Sequence, residues 1–119
     1  MIKYMEGMEL AAFNIISQVG TAKSMVMEAL YAARDGRYDE AEQKLKESRQ
    51  FLTEGHKAHH QLIQEEASGQ QLPFSLLIMH AEDQMMSVET ISDLVREMIR
   101  MYKDINDLKT MVHSNSIKK

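Results

Sequence analysis

The sequence predicts an all-α fold, an antiparallel up-down-up bundle of three long helices. Three observations carry this. Helix breakers are scarce, with one Pro and five Gly in 119 residues, so long helices meet few interruptions. Apolar residues recur in alternating steps of four and three along three segments, which places them on one helical face each. The two breaks between those segments are short, and short connections between long helices make consecutive helices antiparallel.

The first helix is expected over about residues 3–34. Met8, Ala12, Ile15, Val19, Ala22, Val26, Ala29 and Ala33 form its stripe, and the alanines let a neighbour approach closely. Asp35-Gly36 ends it, with Gly36 suited to the left-handed conformation of a helix C-cap. The second helix is expected over about residues 39–67, with Asp39 as N-cap and Glu42 completing a capping box. Its stripe is Ala41, Leu45, Ser48, Leu52, Gly55, His59 and Leu62, and Ser68-Gly69 stops it.

The third helix, over about residues 73–112, is the longest, with Pro73 in its first turn, where a missing N–H costs nothing. One stripe comprises Phe74, Leu77, Ala81, Gln84, Val88, Ile91, Val95, Met98, Tyr102 and Ile105. A second, nearly opposite, comprises Leu76, Met79, His80, Asp83, Met86, Thr90, Leu94, Met101 and Leu108. The outer helix of a monomeric bundle needs one apolar stripe; two imply packing by its own bundle on one side and by a partner on the other. A polar tail, residues 113–119, is expected to fray.

Composition narrows the function. A chain of 119 residues suits one domain, residues 1–119, with one modest core. A net charge of −4 supplies no basic field for nucleic acid or an anionic membrane. The absence of Cys excludes disulfides and thiolate chemistry and fits a reducing, cytoplasmic setting. No apolar run is long enough to span a bilayer, and the acidic residues of the first ten positions do not read as a signal peptide.

His80 and Asp83 stand out as candidate chemistry. Three residues apart in an unbroken helix, they share a face. Imidazole is a nucleophile near neutral pH, and a carboxylate one turn away can orient it or bind a cation. His80 then reads as a phosphoryl acceptor, a role that needs access and positioning but little covalent machinery. The alternative is a helix-face His merely satisfied by Asp83. A carboxylate in an apolar seam is costly unless paired or bound to a cation; three copies on an axis would repel, and a divalent cation with oxygen ligands relieves that. Asp83 also reads as an exposed residue near a helix start, favoured by the macrodipole. Of His56, His59 and His60, the first and last are one turn apart and suit a transition metal, whereas His59 reads as a partly buried residue of the core stripe. Neither Glu-x-x-His nor His-Glu-x-x-His occurs. Met79 and Met86 lie towards the His80 face as an adaptable docking surface, while Met85 turns to the core.

Several motifs, in order, resemble the lactose/cellobiose-type IIA proteins of the bacterial sugar phosphotransferase system. They are Ile15-Ile16-Ser17-Gln18-Val19-Gly20-Thr21-Ala22-Lys23-Ser24, then Ala29-Leu30-Tyr31-Ala32-Ala33 with Gly36-Arg37-Tyr38-Asp39-Glu40-Ala41. Leu52 with His56, Leu62-Ile63 and Glu66-Ala67-Ser68-Gly69 follow, and then Ser75-Leu76-Leu77 with His80-Ala81 and Asp83. The resemblance spans roughly residues 8–105. It implies a homotrimer of three-helix bundles, His80 as the phosphorylated residue, and Asp83 on the threefold axis with a divalent cation, Mg2+ being the expected ion. It implies HPr as phosphoryl donor and a cysteine of a cognate IIB protein as acceptor, with the membrane IIC protein involved only indirectly and no nucleic acid, in uptake of a disaccharide or β-glucoside of cellobiose, lactose or chitobiose type. The chain departs from the pattern where family members often carry Gln at Glu82, His at Gln84, and Gln-Thr at His59-His60. Glu82 puts negative charge beside an incoming phosphoryl group. Two other readings remain at this stage: a non-catalytic helical adaptor with a Met-rich face, and a His-based metal-binding bundle using His56 and His60.

Overall fold

The computed structural model describes residues 2–69 and 75–117, with side chains over 7–69 and 75–115. Three helices fill them: α1 (Ile2–Arg34), α2 (Tyr38–Ala67) and α3 (Leu76–Ile117). Pro73 and Phe74, expected in the third helix, lie outside the described residues.

Helix α1 ends as its sequence requires. Gly36 adopts φ +82°, its N–H donates to the Ala33 carbonyl (3.0 Å), and the Arg37 N–H donates to the Ala32 carbonyl (2.8 Å). This Schellman closure satisfies two carbonyls that the helix end would otherwise leave open. It also brings Tyr38 into helical geometry one residue earlier than the expected cap. The capping box at Asp39 and Glu42 therefore does not form: Arg37 is the N-cap and makes no side-chain capping bond. Asp39 and Glu40 sit in the first turn instead, where their charge favours the positive end of the helix dipole. Ser75 begins α3, its hydroxyl accepting from the Ile78 N–H at 3.3 Å. The third helix is assigned to Ile117, beyond the expected end near residue 112, and no Gly or Pro interrupts its hydrogen-bond ladder there.

Every residue of the predicted α1 stripe is buried, joined by Ala32. α1 packs along both other helices, while α2 and α3 approach each other much less closely. One core cluster joins Ile15 and Val19 to Leu52, Met85 and Val88; a second joins Val26 and Ala29 to Leu45, Val95 and Ile99. The same end of α1 thus meets the same end of α3, which gives the up-down-up order.

Two stripes shift by one position. On α2, Ala58 is buried and His59 only half so. On α3 the core comprises Ala81, Met85, Val88, Ser92, Val95 and Ile99, whereas Met98 and Ile105 are 43% and 40% exposed. A regular four-three rhythm admits neighbours on either side of its shared residues, and which side is buried depends on where α1 lies, a tertiary fact.

Gly55 faces α1 so closely that a Cβ there would lie 3.1 Å from Val19 Cγ2. Val19 is fully buried and stiff at χ1, so it cannot yield. Gly55→Val is expected to destabilise the protein by about 2 kcal/mol through overpacking, read as a lower urea midpoint. Recovery in Gly55→Val combined with Val19→Ala checks the contact; an unchanged midpoint in the single variant contradicts it.

Candidate functional site

His80 lies in the second turn of α3, and its side chain is exposed. Behind it, Ala81 and Met85 are only 0% and 1% exposed and anchor this turn to α1 and α2. On one side of it along α3, Leu76, Met79 and Met86 are large apolar residues at 74%, 54% and 59% exposure. Met85 turns inward and Met86 outward, as the helical spacing predicts. The result is an accessible imidazole on a rigid helix, bordered by apolar surface.

Asp83 is exposed one turn further on. No hydrogen bond or ion pair joins it to His80 among the described residues, so within one chain it does not hold the ring. It lies on the second α3 stripe, about half a turn from the core stripe at 100° per residue. Leu94, Met101 and Leu108 continue that stripe, at 54%, 59% and 60% exposure. The face that the sequence marked for a partner is bare in the single chain.

The α2–α3 groove carries contacts that sequence reading did not find. His59 Nδ1 is in ion-pair contact with Glu82 Oε2, and His56 Nε2 with Glu89 Oε1; neither is an aligned hydrogen bond. Lys103 Nζ lies 3.9 Å from Glu42 Oε1. Asn106 Nδ2 donates to the Ala33 carbonyl (3.3 Å) and to Tyr38 Oη (2.7 Å), fastening α3 to the α1–α2 turn. Positions 82, 89, 96 and 103 recur every seven residues, a signal that would have revealed this polar edge. His60 is exposed, and no group of three or more potential metal ligands forms among the described residues.

A sequence model described as "PTS system, Lactose/Cellobiose specific IIA subunit" matches residues 10–103. The chain belongs to this family. It is a IIA component of the sugar phosphotransferase system, and so a phosphotransferase component. Among its relatives is the oligo-beta-mannoside-specific EIIA component of Bacillus subtilis, 39% identical over 82% of this chain and 89% of the relative. The cellobiose-specific enzyme IIA of Bacillus anthracis superposes with a TM-score of 0.82 at 34% identity, covering 84% of this chain and 92% of that one. A IIA(chitobiose) chain solved in complex with HPr, from the N,N'-diacetylchitobiose branch of the Escherichia coli phosphotransferase system, superposes at 0.73 with 26% identity, over 83% and 96% of the two chains. No helix among the described residues is long and apolar enough to cross a membrane.

His59 of α2 and Glu82 of α3 face each other across the groove. Glu82 is rotated by about 200° from His80 at 100° per residue, so its carboxylate is turned to α2 and away from the imidazole.

Proposed function

We propose that this protein is a phosphohistidine carrier. It takes a phosphoryl group from the phosphorylated histidine of HPr onto the His80 imidazole and passes it to a cysteine of a cognate IIB protein. One P–N bond breaks as another forms, and the second transfer exchanges P–N for P–S. The observation that carries this reading is the exposed His80 on a buried-backed turn of α3, with the exposed apolar residues Leu76, Met79 and Met86 along one side of it. A carrier must present one nucleophile to two partners in turn, and a rigid helix with an apolar rim serves both encounters. The IIA(chitobiose)–HPr complex of a relative supports HPr as donor. The sugar imported is a disaccharide or β-glucoside, and the protein works in the cytoplasm.

Incubation with phosphoenolpyruvate, enzyme I and HPr tests the reading. An acid-labile phosphoryl group on this chain is the expected product. An adaptor or a metal carrier would gain none.

The working form is a homotrimer, with the bare α3 stripes of three copies packed together. Asp83 lies on that stripe, so assembly brings three carboxylates towards one axis. It is exposed and free of ion pairs among the described residues, and an oxygen-only donor set suits a hard divalent cation such as Mg2+. Removing this charge should stabilise the assembly: Asp83→Leu or Asp83→Asn is expected to gain on the order of 1 kcal/mol, seen as a raised Tm. Chelators should lower the Tm of the wild type more than that of the variant. A marked loss of stability in Asp83→Leu would instead assign Asp83 a required hydrogen bond.

A further inference from the structure

Along the α2–α3 groove, acid faces base at three of four successive positions: Glu82 with His59, Glu89 with His56, and Lys103 with Glu42. At Arg96 the pattern breaks. Among the described residues its guanidinium reaches only Asp93 of its own helix, at 3.5 Å, and its buried Nε has no hydrogen-bond partner. Of the six α2 residues that line the groove, Lys46 and Arg49 are cations, and neither is in an ion pair among the described residues. Arg100 and Lys103 extend the same wall. Five cations and two carboxylates, Asp39 and Glu42, line this groove of about 560 Å³; Arg100 is paired with Glu97 at 3.2 Å and Lys103 with Glu42 at 3.9 Å, so Lys46 and Arg49 are the cations without an ion pair among the described residues.

We propose that this groove is a second ligand site, and that it binds a phosphorylated sugar. Two guanidiniums from opposite helices suit a phosphate monoester, because each presents paired N–H donors in a planar fork. The volume is within the range of small-molecule pockets and far exceeds what a bare phosphate needs. Asp39 and Glu42 line the rim of the groove and offer acceptors for hydroxyl groups. Leu45 and Ile99 form its apolar floor, at 9% and 5% exposure. The anion supplies the counter-charge that the α2 side lacks at Arg96.

The site is separate from His80. Arg96 lies sixteen residues along α3, about 24 Å at 1.5 Å per residue. Phosphoryl transfer at His80 is therefore expected to survive loss of the groove cations, and the two readings can fail independently.

The test is a titration of the assembled, isotope-labelled protein followed by amide resonances, at fixed ionic strength. Glucose 6-phosphate should give saturable shifts confined to residues 39–49 and 93–103. Glucose should give none, and inorganic phosphate should bind more weakly. Arg49→Gln should weaken glucose 6-phosphate at least about tenfold, the loss expected for a charge-assisted contact. Arg49→Lys, which keeps charge but not the fork, should fall between, and both variants should label normally from HPr. Absence of saturable shifts up to about 10 mM, a concentration that would detect even millimolar affinity, overturns the proposal. So do equal affinities for phosphate and glucose 6-phosphate, an unaltered affinity in Arg49→Gln, or shifts at these residues with poly-glutamate but not with the sugar phosphate.

Discussion

His80→Ala loses all acid-labile labelling from phosphoenolpyruvate, enzyme I and HPr, while His56→Ala, His59→Ala and His60→Ala retain it. The expected loss is total because no other side chain near this turn can replace the nucleophile. The chain has no Cys, and of the other imidazoles His60 is exposed on α2, so the His60→Ala arm is the decisive control. His56 and His59 face Glu89 and Glu82 across the groove, and His113 lies far along α3. Alanine at position 80 should leave the fold unaltered, because His80 is exposed and alanine is the best helix former. Unchanged circular dichroism separates lost chemistry from lost structure. Labelling that persists in His80→Ala would remove the phosphoryl acceptor from this residue.

The His59→Ala arm carries further information. It deletes the imidazole that faces Glu82 and leaves a half-buried carboxylate without its partner. Glu82 stands about 200° round α3 from His80 at 100° per residue, so transfer from HPr should continue while the fold loses stability. Glu82→Gln, which removes the unpartnered charge, should restore much of that stability.

How legible was this in the sequence? The three helices were readable from scarce breakers and four-three spacing, and the face of α1 because Met8, Ile15, Val19 and Val26, its buried large residues, all fall on one stripe. Gly36 was readable because only a positive φ closes this turn. The capping box was misread because Asp39 and Glu42 satisfy its pattern equally well from inside the helix; the backbone bond from Arg37 to Ala32 decides the boundary. Met98 and Ile99 are adjacent apolar residues, and only the position of α1 says which is buried. At the site, motif and spacing marked His80 and Asp83 and set Met85 apart from Met86. The pairing of His59 with Glu82 was hidden because it links helices that share no local pattern, and the α2 stripe had assigned His59 to the core.

The bare stripe of α3 makes the second large prediction. The wild type is expected to sediment at about three times the chain mass of 13.7 kDa. Met101→Lys combined with Leu108→Lys is expected to reduce it to a single chain. In the isolated bundle these residues are 59% and 60% exposed, so lysine there costs the monomer fold little, and circular dichroism should remain strongly helical. In a threefold seam the same changes forfeit roughly 1.5–3 kcal/mol of burial for each side chain and bring like charges together. Symmetry repeats the loss in all three copies. Met101 lies before Asn106, the last described tie of α3 to the α1–α2 turn, and Leu108 lies beyond it. Single substitutions therefore tell whether the seam runs along the bundle, along the projecting end of α3, or both. A double variant that still sediments at three chain masses would place assembly on another surface, and Asp83 would then have no axis to share.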